Sequence, residues 1–329
     1  MLKVSLVEKL KSTKNLLAFS GGGDSTALFF LLLEHNLAFD IAIVNYKQRE
    51  QSKEEVAYAQ SLAKQNNLEC FVYDAPQISS NFESNARKIR YAFFEELIEQ
   101  HHYQTLLTAH HLGDRFEWML MQFCKGAGCP ELLGMQVYDQ REKYTLTRPL
   151  LHLDKSELLE YLHKHKILFF EDESNSDEKY HRNYFRKNHT HPLLQKHLNG
   201  IKKSFEYMDA DKKNFIKDTE IHVFKKWVYF KSTQHKRSDI FHIDKYLKRK
   251  GYLLSAEDKK LLEEKESVII SRKLIVSQTS GLVFIMPYLQ NIIMSKEFKE
   301  SMRKLKVAPK LRAYLFTNQE ARKIITSLL

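Results

Sequence analysis

Two short stretches of this chain bring together residues that can do chemistry. The first is Ser20-Gly21-Gly22-Gly23-Asp24-Ser25. Three consecutive glycines let backbone N–H groups converge on an anion with no Cβ in the way. A helix starting just after them adds its positive end. The run is therefore a phosphate cradle, although it lacks the Gly-Lys-Ser/Thr ending of a Walker A loop. The second stretch is Thr108-Ala109-His110-His111-Leu112-Gly113-Asp114-Arg115-Phe116-Glu117. With a helix beginning near Leu112, Asp114 and Glu117 stand three apart on one face, and His110 lies just before them. An imidazole and two carboxylates there can bind Mg²⁺, hold an ammonium or move a proton, and residue types alone leave these open.

Both stretches need elements to aim them. Apolar runs predict strands at Leu16–Ser20, Ile41–Tyr46, Glu69–Tyr73 and Thr105–Ala109, with helices at Asp24–Glu34, Ser52–Asn66 and Glu83–His101 between them. Ser52 and Glu55 have capping-box spacing, as do Asp154 and Glu157 further on. Strand–helix alternation predicts a doubly wound parallel sheet with helices on both faces. Ligands then bind beyond the carboxyl ends of the strands, where Ser20 and His110 both fall. A polar loop, Phe170 to Asn175, precedes a basic helix carrying Arg182, Asn183 and Arg186.

The fold class expected is α/β: this sheet at the N-terminus, a mainly helical middle region and a small α+β C-terminal unit. Composition shifts place the boundaries at 1–195, 196–266 and 267–329. In the last, Val268–Val276 and Gly281–Met286 read as two strands joined by a Ser-Gln-Thr-Ser-Gly turn.

The net charge of +11 favours a polyanionic partner, with nucleic acid the leading candidate. Lysine-rich segments recur after residue 200, several beside Tyr, Phe or Trp, a mix suited to phosphate contacts with some stacking. No run of about 18 apolar residues exists, so no membrane helix is expected. Three cysteines, Cys70, Cys124 and Cys129, make no CxxC and point to a reducing, cytoplasmic setting. Cys124 is expected to pack within a helix.

Ser20–Ser25 resembles the PP-loop, SGGxDS, of the ATP pyrophosphatases. More widely, residues 10–195 resemble the tRNA(Ile)-lysidine synthetase family. VNYKQREQSKEE keeps Val44, Arg49, Ser52 and Glu55 of its VDHGLRxxSxxE stretch. NFESNARKIRYAFF matches around Ala86-Arg87 and Arg90-Tyr91. AHHLGDRFE resembles GHHxDDxxET, and CKGAGCPELLGM followed by RPLL resembles RGxGxxGLxGM. EDESNSDEKYHRNYFR matches EDxSNxxxxxxRNxIR and discriminates best. Four departures stand out: Gly113 replaces the first Asp of the DD pair, Trp118 a Thr, Lys125 an Arg and Tyr46 a His.

The resemblance implies a ligase that adenylates O2 of the wobble cytidine of the CAU-anticodon isoleucine tRNA. The ε-amine of L-lysine then attacks C2, giving lysidine, AMP and pyrophosphate. ATP as substrate and Mg²⁺ as cofactor follow. By the same resemblance Ser20, Gly21, Gly22, Gly23, Asp24 and Ser25 bind ATP. Asp24, His110, Asp114 and Arg182 are catalytic, Asp114 and Glu117 bind lysine, and Asp24 and Asp114 hold the metal. His110 would meet the α-phosphate, and Arg182 would offset charge on AMP or the adenylated intermediate. The helical region would grip the anticodon stem and the C-terminal unit the acceptor arm. Family members are often homodimers, although no residue here marks an interface. Two rival readings are a tRNA thiolase using Cys124 and Cys129, and a tRNA-binding protein with a decayed ATP site.

Overall fold

Apolar runs too short for helices become the central strands. The computed structural model describes residues 1–47, 51–171 and 181–329. Arg49 and the polar loop beyond Glu171 lie outside the described residues. The chain divides into two compact units, Met1–Met208 and Asp209–Leu329.

In the first unit the elements run α1 (Val4–Lys11), β1 (Asn15–Phe19), α2 (Gly23–Glu34), β2 (Phe39–Asn45), α3 (Gln51–Gln65), β3 (Cys70–Asp74), α4 (Phe82–His101) and β4 (Thr105–Leu107). Then come α5 (Leu112–Phe123), α6 (Cys129–Leu132), β5 (Tyr138–Gln140), β6 (Thr145–Thr147), α7 (Lys155–Lys164), α8 (His181–Phe185) and α9 (His191–Phe215). A π-helical turn, Arg186–Thr190, joins α8 to α9.

The strand order is β3-β2-β1-β4-β6-β5, parallel throughout except for the antiparallel β5. β1 has β2 on one side and β4 on the other, so the order reverses between β1 and β4. A crevice opens beyond the carboxyl ends of strands at such a reversal. Alternate residues of β1 serve opposite faces. Leu17 and Phe19 pack with Leu28, Leu31 and Leu32 of α2 and Leu158 of α7. Leu16 packs with Phe93, Phe94 and Leu97 of α4. Apolar burial on both faces is the doubly wound arrangement the alternation predicts. The predicted elements are present with ends shifted by a residue or two. α3 begins at Gln51, which puts Ser52 inside its first turn rather than at a cap. The Asp154–Glu157 capping box forms at the start of α7 as expected.

The second unit contains β7 (Ile221–Val223), β8 (Val228–Lys231), α10 (Lys236–Arg249), α11 (Ala256–Glu264), β9 (Ser267–Ile270), β10 (Leu274–Thr279), β11 (Leu282–Pro287), α12 (Lys296–Lys304), α13 (Pro309–Thr317) and α14 (Gln319–Leu328). Its antiparallel sheet has the order β7-β8-β11-β10-β9. Val283 and Ile285 of β11 face α10 and α11, while Phe284 and Met286 face α12, α13 and α14.

Three details differ from the sequence reading. α9 passes through the expected boundary at 195 with only a kink at His197 (φ −132°, ψ 25°). β7 and β8 lie in the stretch read as helical. Three- and four-residue strands among lysines leave too short an alternation to detect. Finally, Val268–Val276 is two strands, turned by Ser271 (φ 49°) and Arg272 (φ 55°).

Candidate active site

β1 delivers the chain to Ser20, and α2 takes it up at Gly23 with Gly22 as N-cap. Two side chains tie this turn to itself. Ser25 Oγ accepts from the Ser20 N–H (3.2 Å) and donates to the Gly22 carbonyl (3.0 Å). Thr26 Oγ1 donates to the Gly21 carbonyl (3.2 Å). The first-turn N–H groups of α2 have no acceptor within the helix and are available to an anion. Gly21 is required for two reasons. Its φ is +77°, and a Cβ there would sit 3.2 Å from the Phe170 ring and 3.4 Å from Glu55. Phe170 also donates its N–H to the Gly21 carbonyl (3.0 Å) and pairs in parallel with Gly22. Phe169 stands 3.3 Å from where a Gly23 Cβ would be. Gly21 and Gly23 thus admit the Phe169-Phe170 segment.

Asp24 opens the first turn of α2. Its Oδ1 is buried without a hydrogen-bond partner among the described residues. Its Oδ2 lies 3.8 Å from His111 Nε2.

After β4, α5 starts with a reciprocal cap. His111 Nδ1 accepts from the Gly113 N–H (3.0 Å), and Asp114 Oδ2 accepts from the His111 N–H (3.1 Å). Leu112 and Phe116 on the opposite side of α5 pack with Leu194 and Phe205 of α9. That packing holds α5 where its polar face meets α8 and the π-helical turn. Glu117 is 1% exposed. One of its oxygens accepts from Arg182 Nε, and the other accepts from Arg186 Nε at 2.8 Å. Asp114 Oδ1 receives Arg186 Nη2 at 3.1 Å and Arg182 Nη2 at 3.4 Å. Arg182 also reaches Glu83 at 3.6 Å.

This arrangement sets the protonation states. Burial would raise the Asp114 carboxyl, but His111, His110, Arg186 and Arg182 together hold it far below the usual carboxylate range. Burial likewise opposes the Arg182 charge and is outweighed by Glu117, Asp114 and Glu83. For His110, burial pushes the imidazole down to about 4, aided by Arg148, Arg87 and Arg182 and opposed by Asp114. It is therefore neutral at pH 7, with Nδ1 2.9 Å from Thr108 Oγ1.

The expected residues fall into two groups on one sheet edge. Ser20–Ser25 form the cradle after β1, and His110, Asp114 and Glu117 follow β4. Arg182 joins the second group from α8. Sequence reasoning missed His111, whose signal was a second histidine two residues before a glycine. It placed Arg186 on the basic helix without a site role, whereas it is paired with both carboxylates. Mg²⁺ is commonly held by one or two carboxylates, with water and phosphate completing its shell. The partnerless Asp24 Oδ1 fits that need. Asp114 is already engaged on both oxygens. Among the described residues no group of three or more His, Cys, Asp or Glu is placed to hold a metal.

Three of the four departures make local contacts, and nothing in the structure explains Lys125. A Cβ at Gly113 would stand 2.6 Å from His111 Cε1. Trp118 Nε1 donates to the Glu131 carbonyl (3.1 Å) and its ring closes over Gly134, pinning α6 to α5. Tyr46 donates to the Ala86 carbonyl (3.0 Å). Cys124 caps the end of α5 and is exposed rather than packed, as is Cys129.

Residues 2–193 match the PP-loop domain family. The chain is 44% identical to tRNA(Ile)-lysidine synthase of Helicobacter pylori strain ATCC 700392 / 26695, over 94% of this chain and 91% of that protein. It is 43% identical to the enzyme of the same name from Wolinella succinogenes, over 94% of each. For Campylobacter jejuni strain RM1221 the identity is 39% over 97% of each. Among solved structures, the U34-tRNA thiolase NcsA from Methanococcus maripaludis with its [4Fe-4S] cluster superposes with a TM-score of 0.50 at 17% identity. It covers 62% of this chain and 75% of that one. At that identity the likeness is one of fold alone.

Proposed function

Because the chain belongs to the PP-loop proteins and, within them, to the tRNA(Ile)-lysidine synthases, ligases that form a C–N bond, we propose that it joins L-lysine to C2 of the wobble cytidine of the CAU-anticodon isoleucine tRNA. ATP first adenylates O2 of that cytidine and releases pyrophosphate. The lysine ε-amine then attacks C2 and expels AMP.

The observation that carries this reading is the pair of buried carboxylates on α5. Asp114 and Glu117 already hold two guanidinium groups beside the cradle, so a cation site exists before any substrate arrives. In the proposal the amino groups of lysine bind there, taking over part of the contact made by Arg186. Asp114 is held so far down that it serves as a counter-ion rather than a base. Arg182 stays partly in solvent and turns toward the charge that builds on the departing AMP. Neutral His110 offers a hydrogen bond near the α-phosphate. The loop N–H groups and the N-terminus of α2 receive the phosphates. Asp24 would hold Mg²⁺, which when bound neutralises charge on the departing pyrophosphate. The net charge of +11 supports tRNA as the partner.

The test is incorporation of labelled lysine into acid-precipitable RNA, with ATP, Mg²⁺ and either the isoleucine or the methionine CAU tRNA. Label in the isoleucine tRNA alone is the expected result. No label in either, from folded protein that binds tRNA, would refute the reading.

A further inference from the structure

One side chain that the proposed steps do not use stands between the two halves of the site. His111 is 6% exposed. Its Nδ1 accepts from the Gly113 N–H, so in the neutral ring the proton resides on Nε2. That Nε2 lies 3.8 Å from Asp24 Oδ2 and 3.6 Å from Asp114 Oδ2. Asp24 belongs to the cradle after β1, and Asp114 to the carboxylate pair after β4. The His111 Nε2–H group thus lies near both of these like charges. The distances are too long for hydrogen bonds. They are short enough for the positive end of that N–H to offset the repulsion.

A side chain at residue 113 would press on the ring. A Cβ at Gly113 would be 2.6 Å from His111 Cε1 and 2.9 Å from Nδ1, both inside contact distance. The glycine has an ordinary helical position in α5 and no positive φ, so backbone conformation does not require it. With the backbone as it stands, a Cβ there would shift the His111 ring, so in this chain the two residues act as one device.

We infer that His111 is a positioning residue, which sets the separation between Asp24 on the nucleotide side and Asp114 on the acceptor side. The inference rests on the functional reading above for the names of the two sides. Its consequence is kinetic. Each half binds its own ligand without His111, but their alignment for transfer depends on it. Misplacing reacting groups by about 1 Å can cost about a hundredfold in rate.

His111→Asn is the decisive variant. Asparagine is among the best N-cap residues, so the start of α5 is preserved, but its side chain is too short to stand between the carboxylates. The expected result is a fall in kcat of roughly tenfold or more. KM for ATP and for lysine should stay within about threefold, and the melting temperature should barely move. Gly113→Ala, which displaces the ring while favouring the helix, should give the same kcat loss. The double variant should be no worse than either alone, because both remove one device. Wild-type kcat in His111→Asn would overturn the inference, as would losses that multiply in the double variant. Kinetics are read both as pyrophosphate release and as lysine incorporation. A wild-type protein that incorporates no lysine refutes the functional reading alone, and His111→Asn is then judged on pyrophosphate release.

Discussion

Glu117→Gln offers the sharpest test of how the carboxylate pair is held. The substitution keeps the shape and removes the charge. Glu117 is enclosed, with its side chain 2% exposed, and each oxygen takes an N–H from a different arginine. A hydrogen bond to a charged partner contributes about 1.5–3 kcal/mol. In the glutamine variant one oxygen still accepts, but the amide NH₂ confronts the other guanidinium, donor against donor. Arg186 keeps 23% and Arg182 38% of its side chain in water, so part of the released charge is re-solvated. The net loss should be about 3 kcal/mol, at the lower end for breaking a buried pair. For a unit of this size that is a fall of about 6–12 °C in melting temperature. The two tryptophans make the assay specific, because Trp118 lies in the first unit and Trp227 in the second. In a Trp227→Phe background, Trp118 emission follows the first unit alone. A fall under about 2 °C would mean that the carboxylate is solvated rather than clamped, and the reasoning would fail.

Four further outcomes follow from the same geometry. Asp24→Asn should melt within about 2 °C of wild type and lose about a hundredfold or more in pyrophosphate release, and retained activity would remove Asp24 from the chemistry. Asp114→Ala should raise KM for lysine far more than it weakens ATP binding measured by calorimetry, and the reverse pattern would reassign the residue. Gly21→Ala places a side chain at positive φ against Phe170 and should cost about 1–2 kcal/mol with weakened ATP binding. For His110 the folded pKa of about 4 lies below the usual 6.5, so the unfolded chain takes up the proton first. Stability should therefore be full above pH 6.5 and decline between pH 6.5 and 4, by up to about 3 kcal/mol from this group. His110→Gln should flatten that slope in denaturant titrations at pH 7 and pH 5, and an unchanged slope would refute the assignment.

What could be read in the sequence was what local chemistry dictates. The strand, glycines and acid of Leu16–Asp24 specify their own turn, and Asp114 and Glu117 share a face by helix period alone. The Asp154 cap declared itself by spacing. What escaped depends on contacts between distant segments. Nothing near Gly21 says that Phe170 will close against it, and nothing near Glu117 names Arg186 as its partner. His111 was hidden by its neighbour: of two adjacent histidines, the pattern favoured the first, while the ring that faces both Asp24 and Asp114 is the second. In the second unit, β7 and β8 were lost because three or four residues carry too little alternation to stand out among lysines.

The pairing of Phe170 with Gly21 and Gly22 also bears on the order in which the protein is made. β1 and its glycine turn are made well before residue 170, and β2, next in order, can pair with β1 soon afterwards. The contact that covers the turn comes from the far end of the first unit, after α7. A nascent chain that has not reached residue 170 carries the whole Ser20–Ser25 sequence without its cover. Closing a loop of that length is among the slow, entropically costly steps of assembly. The Ser20–Ser25 turn is thus the earliest part of the site to be synthesised, long before the segment that covers it. If the loop holds the nucleotide as proposed, nucleotide affinity would be a late readout of folding, coming only after the chain has been built well past the strand that carries the loop.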